Sequence, residues 1–330
     1  MITHDVYGGL GNQLFQIFTT IAISLKSGHS FFFTYKPAIV DQDTHRHAYW
    51  DSFLTNLDPF VVHPDASNSF LYWKRIEVKE PETHEFMEIV PKHVPKEASD
   101  EVVYQLTGFF QSYKYFEEEF ADICRLIGLE QQKRELIQEI KDNQYIIAPI
   151  SMHFRWGDYK KLEHIHPIMP FEYYRNSLTF VLDKLYKEYD YTRPDIPVLI
   201  FCEASDFPEI YQDIICRLEP LFPMCEFIRA PFDTIEWKHI LYMSLCRCNI
   251  VANSTFSLWG AFFNSNPDAI ICYPWHWYTD LFKKSVNDMF PSTSGWSEGS
   301  RSRMPSTGGE WHKIGYIACD NTGEKSKHRV

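Results

Sequence analysis

The sequence lacks the features that would place the protein in a membrane, in an oxidising compartment or on nucleic acid. No apolar run reaches the roughly 18 residues of a transmembrane helix, and no basic segment followed by an apolar one opens the chain. The eight cysteines include no CxxC pair, which favours buried free thiols in a reducing compartment. The net charge of -12 comes with no basic patch, which excludes a non-specific grip on nucleic acid. These absences predict a cytoplasmic protein that acts on small molecules.

Two common catalytic motifs are also missing. No GxSxG elbow of a serine hydrolase occurs, and the loop that begins at Gly8 has Leu14 where a dinucleotide fingerprint has its third glycine. The incomplete fingerprint argues against a nicotinamide oxidoreductase. The glycine loop Gly8-Gly9-Leu10-Gly11 therefore has two interpretations, a tight turn or bare backbone that lets a ligand approach a helix N-terminus.

Strands and helices alternate along much of the chain. Strands are predicted near residues 2–7, 31–33, 145–154, 198–202, 226–228, 250–252 and 269–273, and helices from residue 14 to Gly28 and at 171–189, 208–218, 234–246 and 255–264. Such alternation is typical of βαβ units around parallel sheets, so the fold class is α/β. Residues 40–105, which prolines interrupt, are expected to be irregular with short elements.

The segment His153-Phe154-Arg155-Trp156-Gly157-Asp158 ends the strand predicted at 145–154. Side chains two residues apart on an extended strand share a face, so His153 and Arg155 are expected to point together over the strand's carboxyl end. An arginine fork that stays charged at any working pH suits a phosphate group. This segment therefore predicts an anion site.

Two further strand ends carry polar groups. Asn253-Ser254-Thr255 lies between a strand and a helix, where its hydroxyls cap the helix, bind an anion, or do both. Asp206 follows the strand predicted at 198–202, and it either caps the next helix or accepts hydrogen bonds from a base or ribose.

A metal site is weakly indicated. Asp41 and Asp43 form a DxD triplet of the kind that holds a divalent ion, but such triplets are frequent in solvated loops, which favours a surface interpretation. The HxH pairs at His45/His47 and His164/His166 lack further ligands in register. We expect no bound metal and no other cofactor.

Four segments in order resemble the α-1,2-fucosyltransferase family (glycosyltransferase family 11). They are Gly8-Gly9-Leu10-Gly11-Asn12-Gln13-Leu14-Phe15-Gln16, Gly108 to Phe116, His153 to Tyr159, and Asn253 to Phe262. The resemblance implies two facing Rossmann-like domains of the GT-B type, with the active site in the cleft between them. The expected domains are residues 1–140 on the acceptor side and 141–290 on the donor side, with a tail at 291–330. Of that tail, 292–309 is expected to be mobile and 311–317 to pack back.

The same resemblance implies an inverting, metal-independent transfer of L-fucose from GDP-β-L-fucose to a hydroxyl of a glycan acceptor, the 2-hydroxyl of a galactoside. GDP-fucose is then a substrate. Arg155 would hold the β-phosphate, Asp206 is a candidate for guanine, and Asn12 would face the fucose. The remaining donor-binding candidates are Gly11, His153, Ser254, Thr255 and Phe256.

One position departs from the family pattern. Trp156 stands where the family usually has a second arginine, and on a strand it would point away from the face of His153 and Arg155. The base is a separate question. Glu163 is a candidate or an exposed loop carboxylate, and Asp158 is expected to orient Arg155.

Two alternatives to a fucosyltransferase differ in how well they fit the pattern. A glycosyltransferase of the same architecture with another donor, such as a rhamnose nucleotide, remains an alternative. A sugar-binding module would have no need of Arg155. The acceptor glycan and the oligomeric state stay open.

Overall fold

The chain divides into two compact units in a computed structural model. Unit 1 comprises Met1–Glu135 with Lys284–Ser292, and unit 2 comprises Leu136–Lys283 with Thr293–Val330. The structure describes residues 1–41, 44–63, 69–83, 85–89, 94, 101–189, 195–231, 235–279, 289, 302–303 and 310–314. Most of the predicted tail segment 292–309 therefore lies outside the described residues.

Unit 1 is built on a parallel sheet of five strands. Its strands are β1 (Ile2–His4), β2 (Phe31–Thr34), β5 (Val61–Val62), β6 (Lys74–Lys79) and β7 (Val102–Thr107), and a separate antiparallel pair is formed by β3 (Ala38–Asp41) and β4 (Thr44–His47). The order in the sheet is β5-β2-β1-β7-β6, and every pairing in it is parallel.

Helix α1 (Leu10–Ser27) connects β1 to β2, as its apolar spacing predicts. Leu14, Phe18 and Ile21 are buried, whereas Leu25, the last apolar residue of the pattern, is half exposed. The helix ends at Gly28 in the left-handed conformation (φ 75°), and the Gly28 N–H donates to Ser24 O. The predicted helix and its C-cap are confirmed.

The region from residue 40 to residue 105 is more regular than its sequence indicates. It contains β6 and most of β7, and β7 lies inside the sheet between β1 and the edge strand β6. Lys74–Lys79 alternates charged residues with Ile76 and Val78, and only Val78 is buried. Helices α2 (Phe120–Leu126) and α3 (Leu129–Asp142) follow, and the division between the units falls within α3.

Unit 2 has the strand order of a dinucleotide-binding fold. Its strands are β8 (Ile150–His153), β9 (Ile196–Phe201), β10 (Cys225–Arg229), β11 (Cys248–Ile250), β12 (Ile270–Pro274), β13 (Ser302–Arg303) and β14 (Glu310–Ile314). The sheet order is β10-β9-β8-β11-β12-β14-β13, and all pairings are parallel except that of β13 with β14. Without β13 this is the Rossmann order 3-2-1-4-5-6. The predicted α/β class with two Rossmann-like units is confirmed.

The helices of unit 2 lie where the periodicity predicts them. They are α4 (Phe171–Tyr189), α5 (Phe207–Ile210), which continues through the π-helical turn Tyr211–Ile215 into α6 (Cys216–Leu218), α7 (Glu236–Leu245) and α8 (Thr255–Phe262). Strand β8 is shorter than predicted, because Tyr145, Ile146 and Ile147 are more than one third exposed and precede it.

Close packing of α7 against α8 explains one glycine of the fourth resembling segment. A Cβ atom added at Gly260 would lie 2.8 Å from Met243 Cβ, closer than two carbons pack. The neighbouring Trp259 is fully buried. This part of the segment therefore serves the core of unit 2.

Two more observations concern the chain as a whole. Cys246, Cys248 and Cys272 are buried free thiols, as expected from the cysteine spacing. In the part of the chain that the structure describes, no helix is long and apolar enough to cross a membrane.

In unit 2 the connections leave in opposite directions between β8 and β11, and in unit 1 β1 and β7 are neighbours although β2, β5 and β6 come between them in the chain. Ligands of open parallel sheets bind outside the carboxyl ends of the strands at such a switch point. The four resembling segments follow these four strands or, in one case, include the end of the strand.

Candidate functional site

Arg155 lies just beyond the carboxyl end of β8, with its guanidinium between two carboxylates. Nη2 donates to Asp158 Oδ1 at 2.6 Å and Nη1 donates to Glu203 Oε1 at 2.8 Å. The guanidinium also lies over the Tyr159 ring, 5.2 Å from its centroid. The expected contact between Asp158 and Arg155 is therefore present, and charged partners fix the direction of the arginine fork.

Every second residue on this segment, before and after Arg155, is buried in the core of unit 2. Ile150, Met152, Phe154 and Trp156 all belong to one apolar core cluster of unit 2. The prediction that Trp156 points away from the face of Arg155 is confirmed. Its indole is 6% exposed, and Lys160 Nζ lies 5.3 Å from the ring centroid.

His153 is a buried neutral histidine. Burial, followed by the positive charge of Arg155, lowers its pKa to about 3, so the imidazole carries no charge at neutral pH. Its ring lies 5.6 Å from that of Phe256, and among the described residues Nδ1 has no hydrogen-bond partner. His153 can therefore offer a hydrogen bond or a contact surface to an anion, but no positive charge.

Asp206 holds the loop after β8 from the side of β9. Its Oδ2 accepts a hydrogen bond from the Gly157 N–H at 2.7 Å, and Lys160 Nζ lies 3.5 Å from Oδ1. Asp206 occupies the N-cap position of α5, yet its side chain makes no capping bond. The capping interpretation is therefore wrong: the carboxylate, which is 8% exposed, is directed at the Gly157 loop.

The segment Asn253-Ser254-Thr255 does cap a helix. Ser254 has extended backbone, and its Oγ accepts from the Phe256 N–H at 3.4 Å at the start of α8. Thr255 and Phe256 are half-buried at the same helix end. The capping interpretation is confirmed, and it leaves the N-terminal end of α8 beside the carboxyl end of β11.

Asn253 joins three loops of unit 2. Its Nδ2 donates to Pro167 O at 2.9 Å and to Trp277 O at 3.1 Å, while its backbone carbonyl accepts from the Tyr159 hydroxyl at 3.0 Å. Burial raises the pKa of Tyr159 to about 12, so this hydroxyl keeps its proton. The loops after β8, β11 and β12 are thereby tied together.

A stack of rings reinforces the same connection. Tyr159 stacks on His166 with centroids 4.5 Å apart, and His166 lies 5.1 Å from Tyr278. Thr279 adds a backbone bond to Ile165 O at 2.9 Å. Sequence reasoning missed this contribution from the segment after β12, because nothing in its aromatic composition separates such rings from core residues.

Glu163 lies in an exposed turn that follows the 3-10 helix Gly157–Lys161. The DxD triplet gives no metal site that can be described. Asp41 ends β3, and the other two residues of the triplet lie outside the described residues. Within the described ranges, no group of three or more histidine, cysteine, aspartate or glutamate side chains is arranged to hold a metal ion.

The glycine loop of unit 1 is held by two buried glutamines of α1. Gln13 Nε2 donates to Gly8 O at 2.9 Å and to His47 O at 2.8 Å. Gln16 accepts from the Tyr7 N–H at 2.9 Å and donates to Tyr7 O at 3.1 Å. Since Gly8 has φ 81°, a conformation that L side chains rarely adopt, the loop is a tight turn with fixed backbone.

The second resembling segment lies beside this loop. Gln111 Nε2 donates to Asn12 Oδ1 at 2.8 Å, and His4 Nε2 donates to Gly108 O at 2.9 Å. Tyr7 and Phe109 have ring centroids 4.9 Å apart. Burial lowers the pKa of His4 to about 4, so this histidine is also neutral. Gly11 is buried in the first turn of α1.

The structure thus brings the sequence-predicted residues into two groups, one in each unit. In unit 2 the end of β8, the segments that follow β8, β9 and β11, and the start of α8 carry His153, Arg155, Asp158, Asp206, Ser254, Thr255 and Phe256. In unit 1 the group contains Gly11 and Asn12, and Gln111 joins it. Glu163 stands apart from the contacts within either group. The first group is suited to an anion and the second to uncharged polar groups.

The chain is similar to two bacterial glycosyltransferases. The O-antigen biosynthesis glycosyltransferase WbnK of Escherichia coli is 23% identical over 190 residues, which cover 56% of this chain and 58% of that protein. An alpha-1,2-colitosyltransferase of Escherichia coli is 23% identical over 199 residues, which cover 58% and 61%. The chain thus spans about three fifths of the length of these curated relatives. No family model matches it.

Two solved structures resemble the chain more distantly. POFUT1 in complex with GDP-fucose gives a TM-score of 0.45 at 11% identity, covering 82% of this chain and 97% of that chain. A glycosyl transferase family 9 protein from Veillonella parvula DSM 2008 gives a TM-score of 0.39 at 10% identity, covering 97% and 88%. The assignment of the fold rests on the strand order described above.

Proposed function

We propose that the chain is an inverting, metal-independent glycosyltransferase that moves L-fucose from GDP-β-L-fucose to a hydroxyl of a glycan, the 2-hydroxyl of a galactoside. One observation carries the proposal. At the switch point of a dinucleotide-type sheet, Arg155 follows β8 while the N-terminus of α8 follows β11. The similarity to two glycosyltransferases supports the same class of reaction.

The reaction needs a stabilised leaving group. The acceptor oxygen forms a bond to the anomeric carbon of the sugar, the bond from that carbon to the β-phosphate oxygen breaks, and GDP leaves with the electron pair. Negative charge then grows on the phosphate. A guanidinium together with the N–H groups of a helix N-terminus suits that charge. In this proposal Arg155, Ser254, Thr255 and Phe256 bind the pyrophosphate, with His153 beside them as a neutral group.

The two carboxylates on Arg155 differ in exposure, which suggests how a phosphate enters. The Glu203 side chain is 53% exposed and that of Asp158 is 41% exposed. Asp158 lies on the same short 3-10 helix that follows Arg155, so it moves with the arginine. We expect the phosphate to replace Glu203 on Nη1 and Asp158 to remain as the orienting group.

The acceptor proton requires a base. Asp158 is engaged with Arg155, and His153 is buried. We propose Glu163, whose exposed carboxylate is accessible to an acceptor hydroxyl. Asp206 is a weaker candidate for guanine than its position in sequence indicates, because its carboxylate is engaged by the Gly157 N–H.

A second donor deserves a direct comparison. One relative is named a colitosyltransferase, which favours a different deoxysugar nucleotide as an alternative to GDP-fucose. Rhamnose nucleotides are a further alternative. Competition among GDP-fucose, GDP-colitose and GDP- and dTDP-rhamnose, read as GDP or dTDP release, ranks these donors.

The proposal is tested by GDP release from GDP-fucose with a β-galactoside acceptor, followed by linkage analysis of the product. Arg155→Ala is expected to lower kcat/KM about 100-fold or more, because a preorganised donor to the leaving group is lost. Arg155→Lys keeps the charge but loses the fork and should fall between the two. The control is Arg125→Ala, which removes an exposed arginine paired with Asp122.

Three outcomes of that assay decide between the proposed function and its alternatives. Absence of GDP release by the wild type with every donor tried would exclude the proposed function. Full activity of Arg155→Ala would exclude the phosphate role of this arginine. Activity is expected to persist in EDTA, and its loss there would favour a metal at Asp41 and Asp43.

The same assay tests the base. Glu163→Gln should lower kcat about 100-fold or more while leaving the KM for GDP-fucose nearly unchanged, since the carboxylate acts on the acceptor proton. Glu226→Gln, an exposed glutamate on β10, serves as control. Equal rates for the two variants would remove Glu163 from the mechanism.

A further inference from the structure

Gln111 has no role in the proposed function, yet it contacts Asn12, the polar side chain of unit 1 that the family resemblance implies would face the fucose. Its Nε2 donates to Asn12 Oδ1 at 2.8 Å across a separation of 99 residues. The Gln111 side chain is largely buried, with 8% of the residue exposed. This amide pair therefore joins two of the four resembling segments, which also meet at the rings of Phe15 and Phe116, 5.8 Å apart.

The backbone before Gln111 fixes where its side chain begins. Gly108 has φ 145°, and a Cβ atom there would collide with Glu80 Cβ. Glu80 Oε2 accepts from the Phe109 N–H at 2.8 Å, and Phe110 has φ 50° while fully buried. A bulky residue in the left-handed region is uncommon. Gln111 thus starts from a position that the surrounding structure determines.

Oε1, the second polar atom of the Gln111 amide, adds no hydrogen bond among the described residues. Gln111 Oε1 is buried, and within the described residues it has no hydrogen-bond partner. A buried acceptor without a partner lowers stability, so an apolar side chain of similar shape would serve the core of unit 1 better. The retained amide is explained by the bond that its other end makes.

We propose, on the basis of the proposed function, that Gln111 is a positioning residue that sets the rotation of the Asn12 carboxamide. With Oδ1 held by Gln111, Asn12 presents its Nδ2 donor, which lies beside Gly8, to a ligand at the end of β1. The ligand atom that Asn12 meets is then an acceptor oxygen, of the sugar or of the phosphates.

Two substitutions of Gln111 separate positioning from packing. Gln111→Met removes the buried acceptor and the bond to Asn12, so the thermal midpoint should stay equal or rise while kcat/KM for the donor falls about 10-fold or more. Gln111→Glu places a carboxylate against Asn12 Oδ1. The Asn12 carboxamide should then rotate so that Nδ2 donates to the carboxylate and Oδ1 faces the ligand, and activity should fall about 100-fold. The control is Gln131→Met, which alters an exposed glutamine of α3.

The pH profile gives a readout that a packing role would not move. Protonation of the carboxyl introduced by Q111E restores a donor to Asn12 Oδ1, so the activity of this variant relative to wild type should recover as the pH falls. Calorimetry with GDP and with GDP-fucose distinguishes the two oxygen sources. If Asn12 contacts a phosphate oxygen, Q111E should weaken the binding of both GDP and GDP-fucose. If Asn12 contacts a sugar oxygen, Q111E should weaken the binding of GDP-fucose alone.

Several outcomes would overturn the inference. Wild-type kcat/KM in Gln111→Met would do so, as would a fall in thermal midpoint that accounts for the lost activity. If the wild type transfers no sugar, the side-chain amide resonances of Asn12 still test the pairing. They should shift in Gln111→Met and not in Gln131→Met, and unchanged resonances in Gln111→Met would exclude the pairing itself.

Discussion

In unit 1 the ends of β1 and β7 are joined by carboxamides, rings and a neutral histidine, whereas in unit 2 the loops after β8 and β9 are joined by ionised groups. Gln111 meets Asn12 in the first case, and Arg155 meets Asp158 and Glu203 in the second. In each unit these strands are paired in parallel within their sheet. The comparison teaches that strand order fixes where a ligand site forms, while the residues after each strand decide which ligand suits it.

The largest expected effect compares one buried amide in each unit. Asn253 donates two hydrogen bonds to carbonyls, whereas Gln16 donates one and accepts one. Asn253→Asp breaks both of its bonds and should lower the free energy of unfolding by about 4 kcal/mol, and Gln16→Glu keeps its accepting bond and should lose about 2 kcal/mol. Urea unfolding measures both, with the exposed Asn143→Asp as control. Equal losses would contradict the difference in bonding.

The second largest expected effect comes from a buried neutral histidine that each unit contains. His4 and His153 have folded-state pKa values of about 4 and about 3, below the roughly 6.5 of an unfolded chain. The unfolded chain binds more protons between these values, so stability falls as the pH drops below 6.5. From pH 7 to pH 5 each histidine should cost about 2 kcal/mol.

Single and double substitutions test that assignment. His4→Gln and His153→Gln should each flatten the pH dependence of the unfolding free energy by about 2 kcal/mol, and the double variant by about twice that. His63→Gln, at an exposed position of unit 1, should leave the slope unchanged. A slope that persists in the double variant would assign the acid sensitivity to other groups.

The smallest effect compares the two helix starts. Ser254 caps α8 with its hydroxyl, whereas Gly9 begins α1 without a side-chain cap. Ser254→Ala should cost about 1 kcal/mol, and Gly9→Ser should gain a few tenths, since a Cβ atom at Gly9 meets nothing within 4 Å. Thermal unfolding measures both changes. If a ligand contacts the bare backbone at Gly9, Gly9→Ser should raise the KM for the donor even though the variant is more stable. An unchanged KM would indicate that the glycine loop is a turn without a binding role.

Sequence patterns located the elements whose signals are local. Strands β9 and β12 are apolar runs buried almost throughout, and α4 has both of its bounds as predicted. Strand β7 was missed although it pairs on both sides within the sheet, because the prolines and charged residues before it suggest irregular structure. Strand β14 has mixed polarity, and it becomes recognisable only when paired with β12.

The residues of the candidate sites were likewise predictable only where the signal in the sequence is local. The position of Arg155 and the cap at Ser254 follow from short spacings, so both were predictable from the sequence. The partner of Asn12 lies 99 residues away, and the direction of the Asp206 side chain depends on the Gly157 N–H in another loop. Contacts of this kind are set by tertiary packing, which no local pattern encodes.

Strand β14 has a practical consequence for any shortened form of the protein. It covers the open side of β12, a strand whose five residues are all buried. A chain cut before residue 310 would leave that side bare, and an uncovered apolar strand is a template for pairing with another molecule. Expression of a shortened unit 2 should therefore extend at least through Ile314, since forms that stop earlier are expected to precipitate.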